Sequence, residues 1–194
     1  MAAKTRKQKE KAKKKNRVAL KTQKMEYHAK IRKSIITFDN DILFKECSLI
    51  KDKAHWEELN NIYGDIVKKM KTVLAVCKNG AGLAAPQIGI SFQVVVVKPF
   101  ENKHHECFAM INPVIVSESN VFEYGKEGCL SFPDYYKDVA RPDSIKVKYL
   151  DENFTEIEEE FTGYGARVIL HEIEHLQGKP SIGLYYRETK CKNG

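Results

Sequence analysis

Two histidines four residues apart, in the run His171-Glu172-Ile173-Glu174-His175, restrict the fold of this chain more than any other feature. The segment around them, from about Gly163 to Gln177, reads as a helix. Gly178 stands where a C-terminal cap belongs, and Pro180 follows just beyond. On a helix, positions i and i+4 share one face, so both imidazoles can reach a single metal ion. Glu172 adjoins the first histidine and can serve as general base on a water at that ion. The plain alternative is two helical histidines without a metal. If the metal is real, the fold must enclose this helix and bring a further ligand to it, because catalytic sites of this type use three protein ligands and one open position.

The third ligand is not well placed downstream. In the pattern HExxHxxGxxH the last position would be a histidine, and here it is Ser181. A glutamate about twenty residues on is the other arrangement. The chain continues for only 19 residues past His175, and its one acid there, Glu188, comes early. Upstream, Cys129 in Glu127-Gly128-Cys129-Leu130-Ser131 is the candidate. A cysteine among apolar residues is ordinarily a small buried hydrophobe. As a thiolate, however, it is a strong donor to zinc or iron.

The remaining pattern is helix, strands, helix. From His55 to Cys77 the residues Trp56, Leu59, Ile62, Tyr63, Ile66, Met70, Val73, Leu74 and Cys77 recur at steps of three and four, which predicts one amphipathic helix. A glycine-rich stretch, Asn79 to Gly89, leads into the buried strand Gln93–Val97. Phe108–Val116 reads as a strand bent at Pro113, and Val121–Tyr124 as a third strand. Ile145–Tyr149 and Ile157–Phe161 alternate with period two about the turn residues Asp151-Glu152-Asn153 and predict a hairpin. The expected fold is α+β: antiparallel or mixed strands packed around a C-terminal metal-binding helix, with an amphipathic helix toward the N-terminus.

Charge divides the chain in two. The 194 residues carry a formal net charge of +7, which by itself suggests nucleic acid. Residues 1–33 hold 14 Lys/Arg and 2 Asp/Glu, a net of +12, so residues 34–194 carry −5. The tail is expected to be disordered, or a fluctuating helix, because like charges repel and few large apolar residues interrupt them. It reads as a solvated extension, a contact for RNA phosphates, or a targeting segment. The rest, 34–194, reads as one catalytic domain. No apolar run approaches the roughly 20 residues of a membrane span, and no apolar segment near Met1 suggests a secretory signal. Five cysteines, widely spaced and without a CxxC pair, argue against a disulfide framework and for a reducing compartment.

Three motifs in order carry a resemblance. Gly80-Ala81-Gly82-Leu83-Ala84-Ala85-Pro86-Gln87 matches GxGxAAxQ, Glu127 to Ser131 matches EGCLS, and His171 to His175 matches HExxH. From about Ile35 to Tyr186 the chain resembles peptide deformylases. The resemblance implies a metal-dependent hydrolase that removes the formyl group from N-formylmethionyl nascent peptides and releases formate. It implies metal ligands Cys129, His171 and His175, with Fe(II) first and Zn(II), Ni(II) or Co(II) as alternatives. Glu172 would be the general base, and Gln87 with the backbone N–H of Leu130 would stabilise the oxyanion. Gly80, Gly82 and Glu127 would form the peptide side of the site. The glycines would let the backbone run close to an extended substrate, and Glu127 with Arg141 would form an ion pair bracing the Cys129 loop. Val168 and the strand before Cys129 would wall the methionine pocket. Such an enzyme is expected to be a cytoplasmic, bacterial-type or phage-encoded monomer without membrane contact. The tail would be its contact with the ribosome and rRNA, or an organellar address.

The chain departs from the family pattern at Leu170, where glutamine is usual, at Glu174, where aspartate is usual, and at Tyr136, where many relatives have a basic residue. It also stops too soon after His175 for the long C-terminal helix of some relatives. Three rival readings remain. A metallopeptidase of another class needs a ligand after His175. An inactive binding module would not need the filled set Gln87, Cys129, Glu172, His171 and His175. An RNA-binding domain would be basic throughout, whereas 34–194 is acidic.

Overall fold

The structure, a computed structural model, describes residues 6–98 and 106–192. It consists of two units, Met1–Ser34 and Ile35–Gly194. Residues 1–5 of the tail and 193–194 of the second unit lie outside the described residues. The first unit is one helix, α1 (Arg6–Arg32). The tail has neither glycine nor proline and is rich in lysine, alanine, glutamine and arginine, all strong helix formers. Every residue from Lys13 to Tyr27 is exposed, including the apolar Val18, Leu20 and Met25.

In the second unit the amphipathic segment forms two helices, α2 (Lys53–Tyr63) and α3 (Ile66–Val76), rather than the single helix expected from its periodicity. Gly64 ends α2 with φ of +71°, and the Asp65 side chain caps α3 by accepting from the Lys68 N–H. Five strands, β1 (Gly82–Ala84), β2 (Val94–Val97), β3 (Phe108–Glu118), β6 (Ser144–Leu150) and β7 (Glu156–Thr162), form an antiparallel sheet in the order β1-β2-β3-β6-β7. The valines of β2 are buried on both sides because α3 covers one part of the strand and the helix α4 (Gly163–Leu176) another. β3 bends where its register with β6 shifts between Ile111 and Val114. Asn112 takes a φ of 51° there, and its amide clamps both backbone groups of Ile50 at 3.0 and 2.7 Å.

Strands β4 (Phe122–Cys129) and β5 (Phe132–Pro142) form a separate two-stranded sheet. The sequence pattern showed only the start of β4 and did not reveal β5, in which polar and aromatic residues outnumber β-branched ones. A further helix, α5 (Ser181–Lys192), follows α4, so the Gly163–Gln177 segment is not the last helical element. None of Cys47, Cys77, Cys107 and Cys129 forms a disulfide. No helix of the described residues is long and apolar enough to cross a membrane.

α4 is the centre of the unit. Its apolar side joins Val95, Val97, Met110, Val147, Tyr149 and Phe161 of the sheet in one core. Burial on that scale stabilises by about 1.5–3 kcal/mol for each large side chain. Gly178 closes the helix with φ of +67°, donating to the carbonyl of His175. A Cβ at Gly178 would lie 2.6–2.9 Å from the backbone of Lys45 and Glu46. Gly178→Ala is therefore expected to cost about 1–3 kcal/mol and to lower Tm by about 2–4 °C for each of them. Thermal denaturation followed by circular dichroism measures this, and an unchanged Tm would show that the Lys45–Glu46 segment yields freely.

Candidate active site

Cys129, His171 and His175 come together from two elements, the end of β4 and the C-terminal half of α4. One ligand atom from each lies within 4.8 Å of the other two. The Cys129 Sγ is 3.1 Å from His175 Nε2. His171 uses Nδ1 on Glu127 Oε2 at 3.0 Å, which leaves its Nε2 for the centre of the group. A thiolate and two imidazoles are a donor set that suits a divalent transition metal. Neither downstream alternative joins them. Ser181 instead donates its N–H (3.0 Å) and its hydroxyl (2.8 Å) to the Glu174 carboxylate. Glu188 belongs to no metal-ligand group among the described residues.

Glu172 is buried, and its Oε2 has no hydrogen-bond partner. Burial pushes its carboxyl up to about 7, a proton affinity suited to a base that works near neutrality. Gly82 makes the space it occupies, because a Cβ there would lie 2.6 Å from both Cγ and Oε1 of Glu172. A Cβ on Gly80 would meet Leu130 Cδ1 at 2.9 Å. The two glycines were expected to clear room for peptide. Both line the cleft, and the atoms nearest a Cβ at these positions belong to Glu172 and Leu130.

Gln87 lies in a short 3₁₀ turn, Ala85–Ile88, after β1. Its Oε1 accepts from the Ala84 N–H at 2.8 Å, which fixes the amide orientation. Its Nε2 then points to Ser131 Oγ at 3.2 Å and Cys129 Sγ at 3.5 Å. A cleft of about 490 Å³ opens over these groups. Gly80, Gly82, Gln87, Leu130, Val168 and Glu172 are among its lining residues, and Tyr136 and Tyr164 stand in its exposed part. Tyr136 lies over Gly128, where a Cβ would come within 2.6 Å of the ring.

Glu127 was expected on the peptide side and as the ion-pair partner of Arg141; it is among the residues lining the cleft, and both of its oxygens are engaged within the protein. Arg141 donates Nε to Oε1 and Nη2 to Oε2, each at 3.0 Å. Arg167 donates Nη1 to Oε1 at 2.8 Å, and His171 holds Oε2. Burial alone would raise the Glu127 carboxyl, yet the His171 and Arg141 hydrogen bonds outweigh it and hold it down at about 2. Arg141 also pairs with Glu174, to which Nη2 donates at 3.1 Å. The longer side chain at position 174 thus reaches both Arg141 and Ser181. Arg167 did not emerge from the motifs. Its signal was a charged residue four positions before His171, flanked by Ala166, Val168 and Ile169, on the helix face of a ligand.

A sequence profile described as polypeptide deformylase matches residues 32–188. A peptide deformylase of Chlorobium phaeobacteroides is 37% identical over 161 residues, covering 81% of this chain and 83% of that one. One from Borreliella burgdorferi is 36% identical over 159 residues, covering 82% and 90%. Among solved structures, a probable peptide deformylase from a Synechococcus phage superposes with a TM-score of 0.62 at 33% identity, covering 74% of this chain and 93% of that one. A class I type b peptide deformylase from Acinetobacter baumannii, with Met-Ala-Ser bound, gives 0.65 at 33% identity, covering 75% and 94%. Cys129→Ala is expected to abolish metal binding by the folded protein, measured as metal content after gel filtration. Full occupancy in that variant would assign the third ligand elsewhere.

Proposed function

The chain belongs to the peptide deformylase family and removes the N-formyl group from nascent peptides, and from that premise we propose which of its residues do so. The family is metal-dependent, and Cys129, His171 and His175 are the ligands that the geometry supports. Fe(II) is the proposed native ion, with Zn(II), Ni(II) or Co(II) able to replace it, since a mixed sulfur and imidazole set suits each of them. When bound, the ion supplies Lewis acidity that acidifies water and polarises the formyl carbonyl.

Glu172 carries the proton chemistry. Its unpartnered Oε2 is the single observation that supports this role best. It takes a proton as water attacks the formyl carbon and later delivers one to the departing amine. The oxyanion that develops needs donors already in position. Gln87 Nε2, aimed toward Cys129 by the Ala84 N–H bond to its other end, is one. The N–H of Leu130 is proposed as the other. The methionine side chain is proposed to lie against Val168 in the cleft, whose lining also includes the backbone of Gly80 and Gly82. The Met-Ala-Ser tripeptide in the Acinetobacter baumannii structure supports this kind of occupant. We further propose a cytoplasmic monomer, in keeping with relatives from bacteria and a phage. Purified protein loaded with Ni(II) should release formate from a formyl-Met tripeptide. Glu172→Ala should keep the metal and lose roughly 10²–10⁴-fold or more in rate. Loss of metal in that variant would mean that Glu172 has another role.

The substrate emerges from a particle whose surface is rich in RNA phosphate, and residues 1–33 carry a net +12, most of it on α1, in which Lys13–Tyr27 are exposed. We propose that α1 holds the enzyme near ribosomal RNA by salt-sensitive contacts. At low salt the full chain should co-sediment with ribosomes, and a chain starting at Ile35 should not. Equal binding by the two would discard the role of the tail and leave the chemistry untouched.

A further inference from the structure

The thiol and the imidazoles of the site sit on pieces of structure that the five-stranded sheet does not join. Cys129 ends β4, and β4 pairs only with β5 among the described strands. His171 and His175 lie on α4. A two-stranded hairpin has little stability of its own, so the meeting of sulfur and imidazole depends on how the hairpin is held to the helix.

Arg167 makes that connection with three hydrogen bonds from one guanidinium. Nη1 donates to Val139 O on β5 at 2.9 Å, and Nη2 to Glu123 O on β4 at 2.8 Å. Nη1 also reaches Glu127 Oε1, and Glu127 holds the Nδ1 of His171 through its other oxygen. The guanidinium passes over Gly125, whose cross-strand partner is Val139. A Cβ at Gly125 would lie 2.7, 2.9 and 3.0 Å from Arg167 Cζ, Nε and Nη2. We propose that Arg167 is a positioning residue of the metal centre, locking the β4–β5 hairpin to α4 and orienting His171 through Glu127, and that Gly125 is the opening its guanidinium requires. Arg141 does not replace it. That residue lies on β5 and also reaches α4 through Glu174, but it holds β4 only at the Glu127 carboxylate, whereas Arg167 bonds backbone carbonyls of both hairpin strands.

The inference rests on Cys129, His171 and His175 being the ligands. It is tested with Co(II), whose visible absorption reports sulfur coordination and ligand geometry. Arg167→Met and Gly125→Ala should each release cobalt to a chelator roughly 10–100-fold faster than the unaltered chain, as expected when a group that orients a ligand is lost. Each should also shift the cobalt absorption bands. The double variant should be no faster than Arg167→Met, because the alanine acts only by displacing the guanidinium. Unchanged release and spectrum in Arg167→Met would overturn the proposal, as would effects of the two changes that multiply in the double variant. Should Arg167→Met fail to fold, Gly125→Ala keeps the arginine and decides by the same two readouts. An unaltered chain that takes up no cobalt with a thiolate band would instead refute the ligand assignment.

Discussion

A single buried carboxylate, Glu127, governs how this site is assembled. Taking a carboxylate out of water costs several kcal/mol unless its oxygens are fully paired. Arg141, Arg167 and His171 provide that pairing. The three partners belong to β5 and α4, while Glu127 belongs to β4. Satisfying one charge therefore fixes the relative placement of three elements, and two of them carry the candidate metal ligands. Glu174 extends the same network through Arg141 to Ser181, at the first residue of α5.

Burial of α4 has two opposite consequences for its neighbouring acids. Glu127, surrounded by cationic donors, is held down at about 2 and stays charged. Glu172, equally enclosed but without such partners, is pushed up to about 7. Environments that drive two carboxyls apart suit one to a structural anion and the other to the proposed proton carrier. The glycines serve the same crowding. Gly82 exists for the Glu172 side chain, Gly125 for Arg167 and Gly178 for the Lys45–Glu46 backbone. Each is a place where the helix or its side chains approach another segment more closely than a Cβ would permit.

The charge division has a comparable logic. A segment of net +12 is unsuited to a core, its composition favours helix, and its residues Lys13–Tyr27 are exposed. The second unit, at −5, has no general affinity for phosphate. The proposed chemistry needs none, since it rests on a handful of buried groups. The proposed contact with RNA and the proposed catalytic groups thus fall on different parts of the chain.

The local pattern of the sequence determined the helix that carries His171 and His175, the Val94–Val97 strand and the Ile145–Phe161 hairpin, because periodicity and turn residues act over a few positions. The candidate groups for metal, base and oxyanion were legible too, since each lies inside a short motif. Other features depended on long-range packing. The break at Gly64–Asp65 interrupts a stripe whose period continues across it. β5 lacked a strand signature because its pairing with β4, more than its own residues, makes it a strand. Glu127 was read as a peptide contact and as the ion-pair partner of Arg141, but its further partners Arg167 and His171 lie 40 and 44 residues away. Only the folded chain brings those charges together, and the cost of leaving any of them unpaired in a buried site is what decides their arrangement.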